Sequence, residues 1–285
     1  MSDQANGHYF RSSDDLNIFY RDFGGQNDGT PVICLPGLTR NSRDFEDVAA
    51  RLCDRRRVLT IDFRGRGFSE HDKNWRNYQP NTYVADVCTL LDNLNIPQVI
   101  VIGTSLGGLC AMLMAATHPA RLAGVVMNDI GPEINPAGLA RIQEYTGRLG
   151  PVTSWQHALQ QTRDIYGEWL PGLDDDAFMR LARRAYRAND DGVPVLDIDV
   201  NIGRAVREVG PQSGDPWQYF AALKRIPTTL LWGEMSDILT ADIVAKMQAA
   251  KPDLVVVPVP HRGHVPLLDE PQCVAAIDQF LEVVS

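Results

Sequence analysis

The chain has no apolar run approaching the roughly 18–20 residues needed to cross a bilayer, so no membrane span is expected. Its first residues, MSDQANGHYF, lack a basic segment followed by an apolar one, which argues against a secretory leader. A soluble cytoplasmic protein is the expectation. Cysteine is sparse: Cys34, Cys53, Cys88, Cys110 and Cys273 are scattered with no CxxC spacing, which excludes both a disulfide framework and a zinc site. Basic charge is also short, with 27 Lys and Arg against 36 Asp and Glu, a net charge of −9. No basic stripe exists to grip phosphates, so nucleic acid is excluded as a partner.

What the 285 residues do contain is enough apolar material, 44%, for one substantial core. Residues 8–23 read as two short strands around the turn Ser12–Asp15. From residue 31 the pattern changes to short runs that are apolar at nearly every position: 31–35, 57–62, 99–102, 124–127, 229–232 and 254–257. Runs of this kind suit strands covered on both faces, as in parallel sheets. Helical spacing separates them, as in Tyr83, Val87, Leu90, Leu91 and Leu94, or Leu109, Met112, Leu113 and Ala116. Alternation of strand and helix gives an α/β fold with a doubly wound, mostly parallel sheet, and ligands collect at the carboxyl ends of its strands.

The rhythm breaks between residues 132 and 215. Asn135-Pro136 opens one helix, Thr153 with Gln156 resembles a capping box for a second, and Asp174-Asp175-Asp176 starts a third. A helical cap over 132–215 is therefore expected, inserted into a core formed by 1–131 and 216–285.

Gly103-Thr104-Ser105-Leu106-Gly107 has the form G-x-S-x-G between a buried apolar run and a helical pattern. That setting is what gives the motif meaning: a sharp turn lifts the serine above the sheet, and flanking glycines avoid collisions. A serine attacks only when a base takes its proton. Of six histidines, His8 is near the N-terminus, His71 is in a charged loop, and His157 is in the insertion. His118 ends the helix after Ser105, where an imidazole is structurally favoured. His261 and His264 remain, both just after the last strand, and position alone does not choose between them.

Several segments resemble the α/β-hydrolase fold superfamily, in particular small bacterial serine hydrolases such as carboxylesterases, enol-lactonases and meta-cleavage-product hydrolases. They are the serine motif, the loop Asp62-Phe63-Arg64-Gly65-Arg66-Gly67-Phe68-Ser69 (D-x-R-G-x-G-x-S) and Gly263-His264-Val265-Pro266 followed by Asp269-Glu270-Pro271. The resemblance implies an eight-stranded sheet and selects His264 as base. It implies Asp237 as the triad acid, from the pattern G-x-x-x-D after the run 229–232, with Glu234 and Asp129 as competitors. It implies an oxyanion hole from the backbone N–H groups of Leu106 and Leu38, although Pro36 stands where relatives usually carry histidine. The D-x-R-G-x-G-x-S loop is structural by the same likeness.

Cap aromatics are the expected source of specificity, with Trp155, Tyr166 and Trp169 chosen as pocket residues. Arg40 is read as an exposed arginine, with a substrate carboxylate as its alternative partner. The expected activity is hydrolysis of a carboxylic ester or lactone of a small, fairly apolar molecule through an acyl-enzyme on Ser105. It needs no metal or organic cofactor and suits a monomer or homodimer. The alternatives are C–C bond hydrolysis and a ligand-sensing role with little turnover.

Overall fold

The structure is a computed structural model and describes residues 6–25, 29–208 and 215–284. Residues 1–5 of the segment read for a leader, and 209–214 at the end of the expected cap, lie outside the described residues. Strands β1 (Gly7–Arg11) and β2 (Asn17–Asp22) form the first hairpin, whose turn is tied by the Leu16 N–H to Ser12 Oγ at 2.9 Å. The alternating series then runs β3 (Val32–Leu35), α1 (Glu46–Leu52), β4 (Val58–Ile61), α2 (Pro80–Asn93), β5 (Val99–Thr104), α3 (Leu106–Thr117) and β6 (Leu122–Asn128). An insertion follows: α4 (Pro136–Tyr145), α5 (Trp155–Tyr166), α6 (Asp175–Ala185), a small hairpin of β7 (Tyr186–Ala188) and β8 (Pro194–Leu196), and α7 (Asn201–Glu208). The chain returns through α8 (Pro216–Ala221), β9 (Thr228–Gly233), α9 (Ala241–Ala250), β10 (Val255–Val259) and α10 (Pro271–Val283).

Eight strands form one sheet in the order β1-β2-β4-β3-β5-β6-β9-β10. The pairings from β4 to β10 are parallel, and β1 and β2 are antiparallel additions at one edge. Side chains alternate across a strand, so each apolar run serves two layers. Ile33, Leu59, Val99, Val101, Val125, Met127 and Leu230 pack with α2, α3 and α9 on one face. Val32, Cys34, Val58, Ile100, Ile102, Val126 and Leu231 pack with α1 and α10 on the other. Continuous apolar runs are thus the signature of a sheet buried on both sides.

Two of the three expected caps in the insertion are as read: Asn135 accepts from the Ala137 N–H and Asp174 from the Ala177 N–H. The third shifts by one residue. Ser154, not Thr153, caps α5, accepting from the His157 N–H at 3.1 Å. The β7–β8 hairpin and α7 carry too short a pattern to be recognised from sequence. Among the described residues no helix is long and apolar enough to cross a membrane.

The loop after β4 is braced by buried charge. Arg64, 1% exposed, donates to Asp86, Asp14 and Asp72, so three carboxylates surround one guanidinium. Asp14 is the most accessible of them, and the hydrogen bond from Arg64 holds its carboxyl down at about 2. A folded pKa below the unfolded value of 3.8 adds stability that is complete above about pH 4 and lost as pH falls toward 2. Asp14→Asn is therefore expected to lower the urea midpoint at pH 7 and to differ little from wild type near pH 2. Parallel denaturation curves at the two pH values check this.

Candidate active site

Ser105 sits between β5 and α3 with φ 50° and ψ −110°, a strained conformation that a serine adopts only when its surroundings enforce it. The enforcement is steric. A Cβ on Gly107 would lie 2.0 Å from the Leu35 carbonyl oxygen, and one on Gly103 would lie 2.5 Å from the Gly107 carbonyl carbon. Only glycines let α3 lie this close to the strands, and that closeness sets the turn.

The sheet register brings a carboxylate to the same edge. Thr104 of β5 pairs with Asn128 of β6, so Ser105 and Asp129 leave their strands side by side. Asp129 is fully buried and also has positive φ, 53°. From the loop after β10, His264 reaches between them, with Nε2 2.9 Å from Ser105 Oγ and Nδ1 2.8 Å from Asp129 Oδ2. A carboxylate can only accept, so Nδ1 carries the hydrogen and Nε2 is left to accept from the serine hydroxyl. Asn128 Nδ2 donates to the Pro266 carbonyl at 2.9 Å and to Thr104 Oγ1 at 3.2 Å, tying the histidine loop to the serine turn.

Asp237, the acid expected from sequence, does not meet the imidazole. It forms a two-point ion pair with Arg141 of α4, at 2.6 and 2.9 Å, and so fastens the insertion to the loop after β9. That loop instead supports Asp129: the Gly233 N–H donates to Oδ1 at 2.9 Å and Ser236 Oγ to Oδ2 at 2.6 Å. The physical reason lies in strand order. Asp129 leaves the strand next to the serine strand, whereas Asp237 sits four residues into the loop after β9 and turns toward a cation on α4. Sequence reading left a usable signal, an aspartate directly after the apolar run ending at Asn128, and set it second. His261 is exposed and takes no part.

Leu38 and Leu106 flank the serine. Among the described residues neither N–H donates to another protein group. The loop carrying Leu38 is held from both sides: the Gly37 carbonyl accepts from the Arg40 N–H at 3.2 Å, and the Leu38 carbonyl from Arg66 Nε at 2.6 Å. Arg66 is fully buried with no ion-pair partner among the described residues, and its guanidinium lies over Tyr83 at 4.8 Å. A side chain in the D-x-R-G-x-G-x-S loop thus braces the segment 36–38.

The serine opens into a cleft that is partly open to solvent. Its walls are mainly apolar, including Phe45, Ile142, Leu170, Leu181, Val265 and Leu267. Of the three aromatics chosen from sequence, Tyr166 lines it and Trp155 and Trp169 do not. Trp155 packs against the small core of α5 and α6 with Arg183 stacked on it at 4.6 Å. Trp169 lies against Gly263 and beneath the Arg141 guanidinium, so both rings are spent on joining elements. Tyr145, which sequence reading grouped with the other cap aromatics, lines the cleft, and burial pushes its phenol well above the usual range. Arg40 lines it too, with only 12% of its side chain exposed, and is not the surface arginine expected. Among the described residues no three His, Cys, Asp or Glu side chains gather in a way that could hold a metal ion.

A buried parallel sheet, a serine on a strained turn and an imidazole between hydroxyl and carboxylate define a hydrolase with a Ser–His–Asp triad-like centre. The chain belongs to the alpha/beta hydrolase fold family, whose pattern matches residues 30–271. It is 30% identical over 270 residues to a 3-hydroxybutyrate-oligomer hydrolase of Cupriavidus necator, covering 92% of this chain and 91% of the relative. It is 27% identical over 263 residues to a 2-(acetamidomethylene)succinate hydrolase of Mesorhizobium japonicum, covering 92% and 91%. Among solved structures, an alpha/beta hydrolase from Novosphingobium aromaticivorans superposes with TM-score 0.91 at 42% identity, over 97% of each chain.

The two aspartates are separated by experiment. Asp129→Asn is expected to lower kcat by roughly 10⁴, because the amide favours the wrong imidazole tautomer. Asp237→Asn should change kcat by less than about tenfold while lowering the melting temperature by a few degrees, since it breaks a partly buried ion pair. Steady-state kinetics and thermal melts on both variants distinguish them, and the reverse pattern would return the acid role to Asp237.

Proposed function

We propose that the chain hydrolyses a carboxylic ester or lactone of a small, largely apolar molecule through an acyl-enzyme on Ser105. The observation that carries this reading is the 2.9 Å contact between Ser105 Oγ and His264 Nε2 at the floor of the cleft. As Oγ attacks the carbonyl carbon, Nε2 takes its proton, and the resulting imidazolium is stabilised by Asp129 through Nδ1. The carbonyl oxygen gains negative charge, which the Leu38 and Leu106 N–H groups receive. His264 then returns the proton to the departing alkoxide. In the second half it removes a proton from water, whose oxygen attacks the acyl carbon; the C–Oγ bond then breaks, the imidazolium returns its proton to Oγ, and the acid leaves free Ser105.

Mutation of Ser105 tests the scheme. Ser105→Ala is expected to abolish fluorophosphonate labelling and to lower turnover of a short aryl ester by roughly 10⁴ or more. A panel of aryl esters, lactones and dienoate ketones separates ester and lactone hydrolysis from C–C cleavage. Label retained on the alanine variant, or binding without turnover across the panel, would count against the reading.

Arg66 offers a second test, aimed at the oxyanion donors. With Arg66→Met the Leu38 carbonyl loses its tether, and an N–H displaced by a fraction of an ångström serves the transition state poorly. The expected result is a fall in kcat of roughly 10- to 100-fold with KM little changed, and weaker inhibition by a boronic acid that mimics the tetrahedral intermediate. Equal loss of substrate and boronate affinity would mean a merely structural role.

A further inference from the structure

Most polar groups around the cleft have an evident duty in the triad or in fastening the insertion, and Arg40 has an edge without one. Asp44 takes its Nε and Nη2 at 2.8 and 2.6 Å, and Nη2 also reaches the Leu181 carbonyl at 3.4 Å. Nη1 has no hydrogen-bond partner among the described residues, yet it is not among the polar atoms sealed from solvent without one. A guanidinium pinned along one edge is a rigid fork whose remaining donors are aimed rather than free to swing.

Its place relative to the serine is set by Gly37. A Cβ built there would lie 3.5 Å from Arg40 Cγ and 3.9 Å from Ser105 Cβ, so the two side chains flank the same small gap. Arg184 also lines the cleft, and its own partner, Asp47, meets it at 2.5 Å from outside the lining. Each arginine of the lining thus has an aspartate of its own, and Nη1 of Arg40 is a donor left over inside a mostly apolar cleft. A few convergent polar groups in an apolar pocket are what orient a ligand, and these suit a single anion.

We propose that Arg40 anchors a carboxylate on the substrate, so that the preferred esters bear a carboxylate a few bonds from the scissile carbonyl. This rests on the hydrolase reading above and narrows its substrate class from fairly apolar to apolar with one acidic end. Asp44 fixes the orientation of the planar guanidinium by taking its Nε and Nη2, and so leaves Nη1 to meet the incoming anion. An anchor at that distance holds the carbonyl over Ser105 without adding to the charge change of the reaction, so it acts chiefly through KM.

The test compares 4-nitrophenyl hydrogen glutarate with 4-nitrophenyl methyl glutarate, which is a close match in length but lacks the charge. Wild type should favour the acid by at least about tenfold in kcat/KM, and Arg40→Gln should remove most of that ratio through KM. Arg40→Lys, which keeps the charge and loses the fork, should fall between. On wild type alone, glutarate should protect Ser105 from fluorophosphonate labelling and glutaramide should not, a readout that needs neither turnover nor a folded variant. Equal or better turnover of the methyl ester, a preference that survives in Arg40→Gln, or no protection by glutarate would overturn the proposal while leaving the hydrolase reading intact. Absence of labelling at Ser105 would instead remove the hydrolase reading itself.

Discussion

The His264 imidazole is held between two oxygens, Ser105 Oγ and Asp129 Oδ2, and much of the surrounding structure serves that placement. The two oxygens come from adjacent parallel strands in a register that lets both residues leave the sheet at the same level. Parallel register is costly to shift here, because both faces of the sheet are buried and a slip by one residue would send every side chain to the wrong layer. The hydrophobic core therefore fixes the distance between serine and carboxylate. Local devices refine it: two glycines that admit α3 against the strands, Asn128 bridging to the histidine loop, and Gly233 with Ser236 on the carboxylate.

A second set of contacts joins the insertion to the loop beside the serine. Asn41 and Arg43 both donate to the Arg184 carbonyl, at 2.8 and 3.1 Å, and Arg43 also pairs with Asp197 at 2.7 Å. Gly67 donates to the Asp197 carbonyl and Asp199 to the Gly65 carbonyl, so the loop holding Arg66 is stitched to the segment after β8. Arg66 then passes that attachment on through the Leu38 carbonyl. The insertion thus bears directly on the segment next to the nucleophile, besides contributing residues to the lining of the cleft. Arg43 and Asp197 are both nearly fully buried, and a charge pair in such a setting tolerates little displacement because separation leaves two desolvated ions.

Much of this was legible in the chain itself. The six apolar runs are strands of the sheet; five are apolar at consecutive positions because both faces are covered, whereas β10 at the edge leaves Val255 exposed. The G-x-S-x-G turn was legible because its glycines answer local sterics, which sequence records residue by residue. His264 was reached only through family resemblance, as two histidines lay within four residues of each other. Asp237 was misjudged because its spacing after a strand fits the pattern, and spacing is silent about Arg141, 96 positions away, which holds it. Trp155 and Trp169 failed as pocket residues for a similar reason: an aromatic on an amphipathic helix shows that it is buried, not against what.

The sequence by itself determined which residues are apolar, where strands alternate with helices, and where a glycine-flanked serine must turn sharply, because these are short-range matters of periodicity and van der Waals space. Only the tertiary structure decided which carboxylate meets the imidazole, which aromatics face the cleft, and that Arg40 is enclosed rather than exposed. Those outcomes depend on strand order and on ion pairs between distant segments. Such pairings are set when the whole chain packs, and no local pattern encodes them.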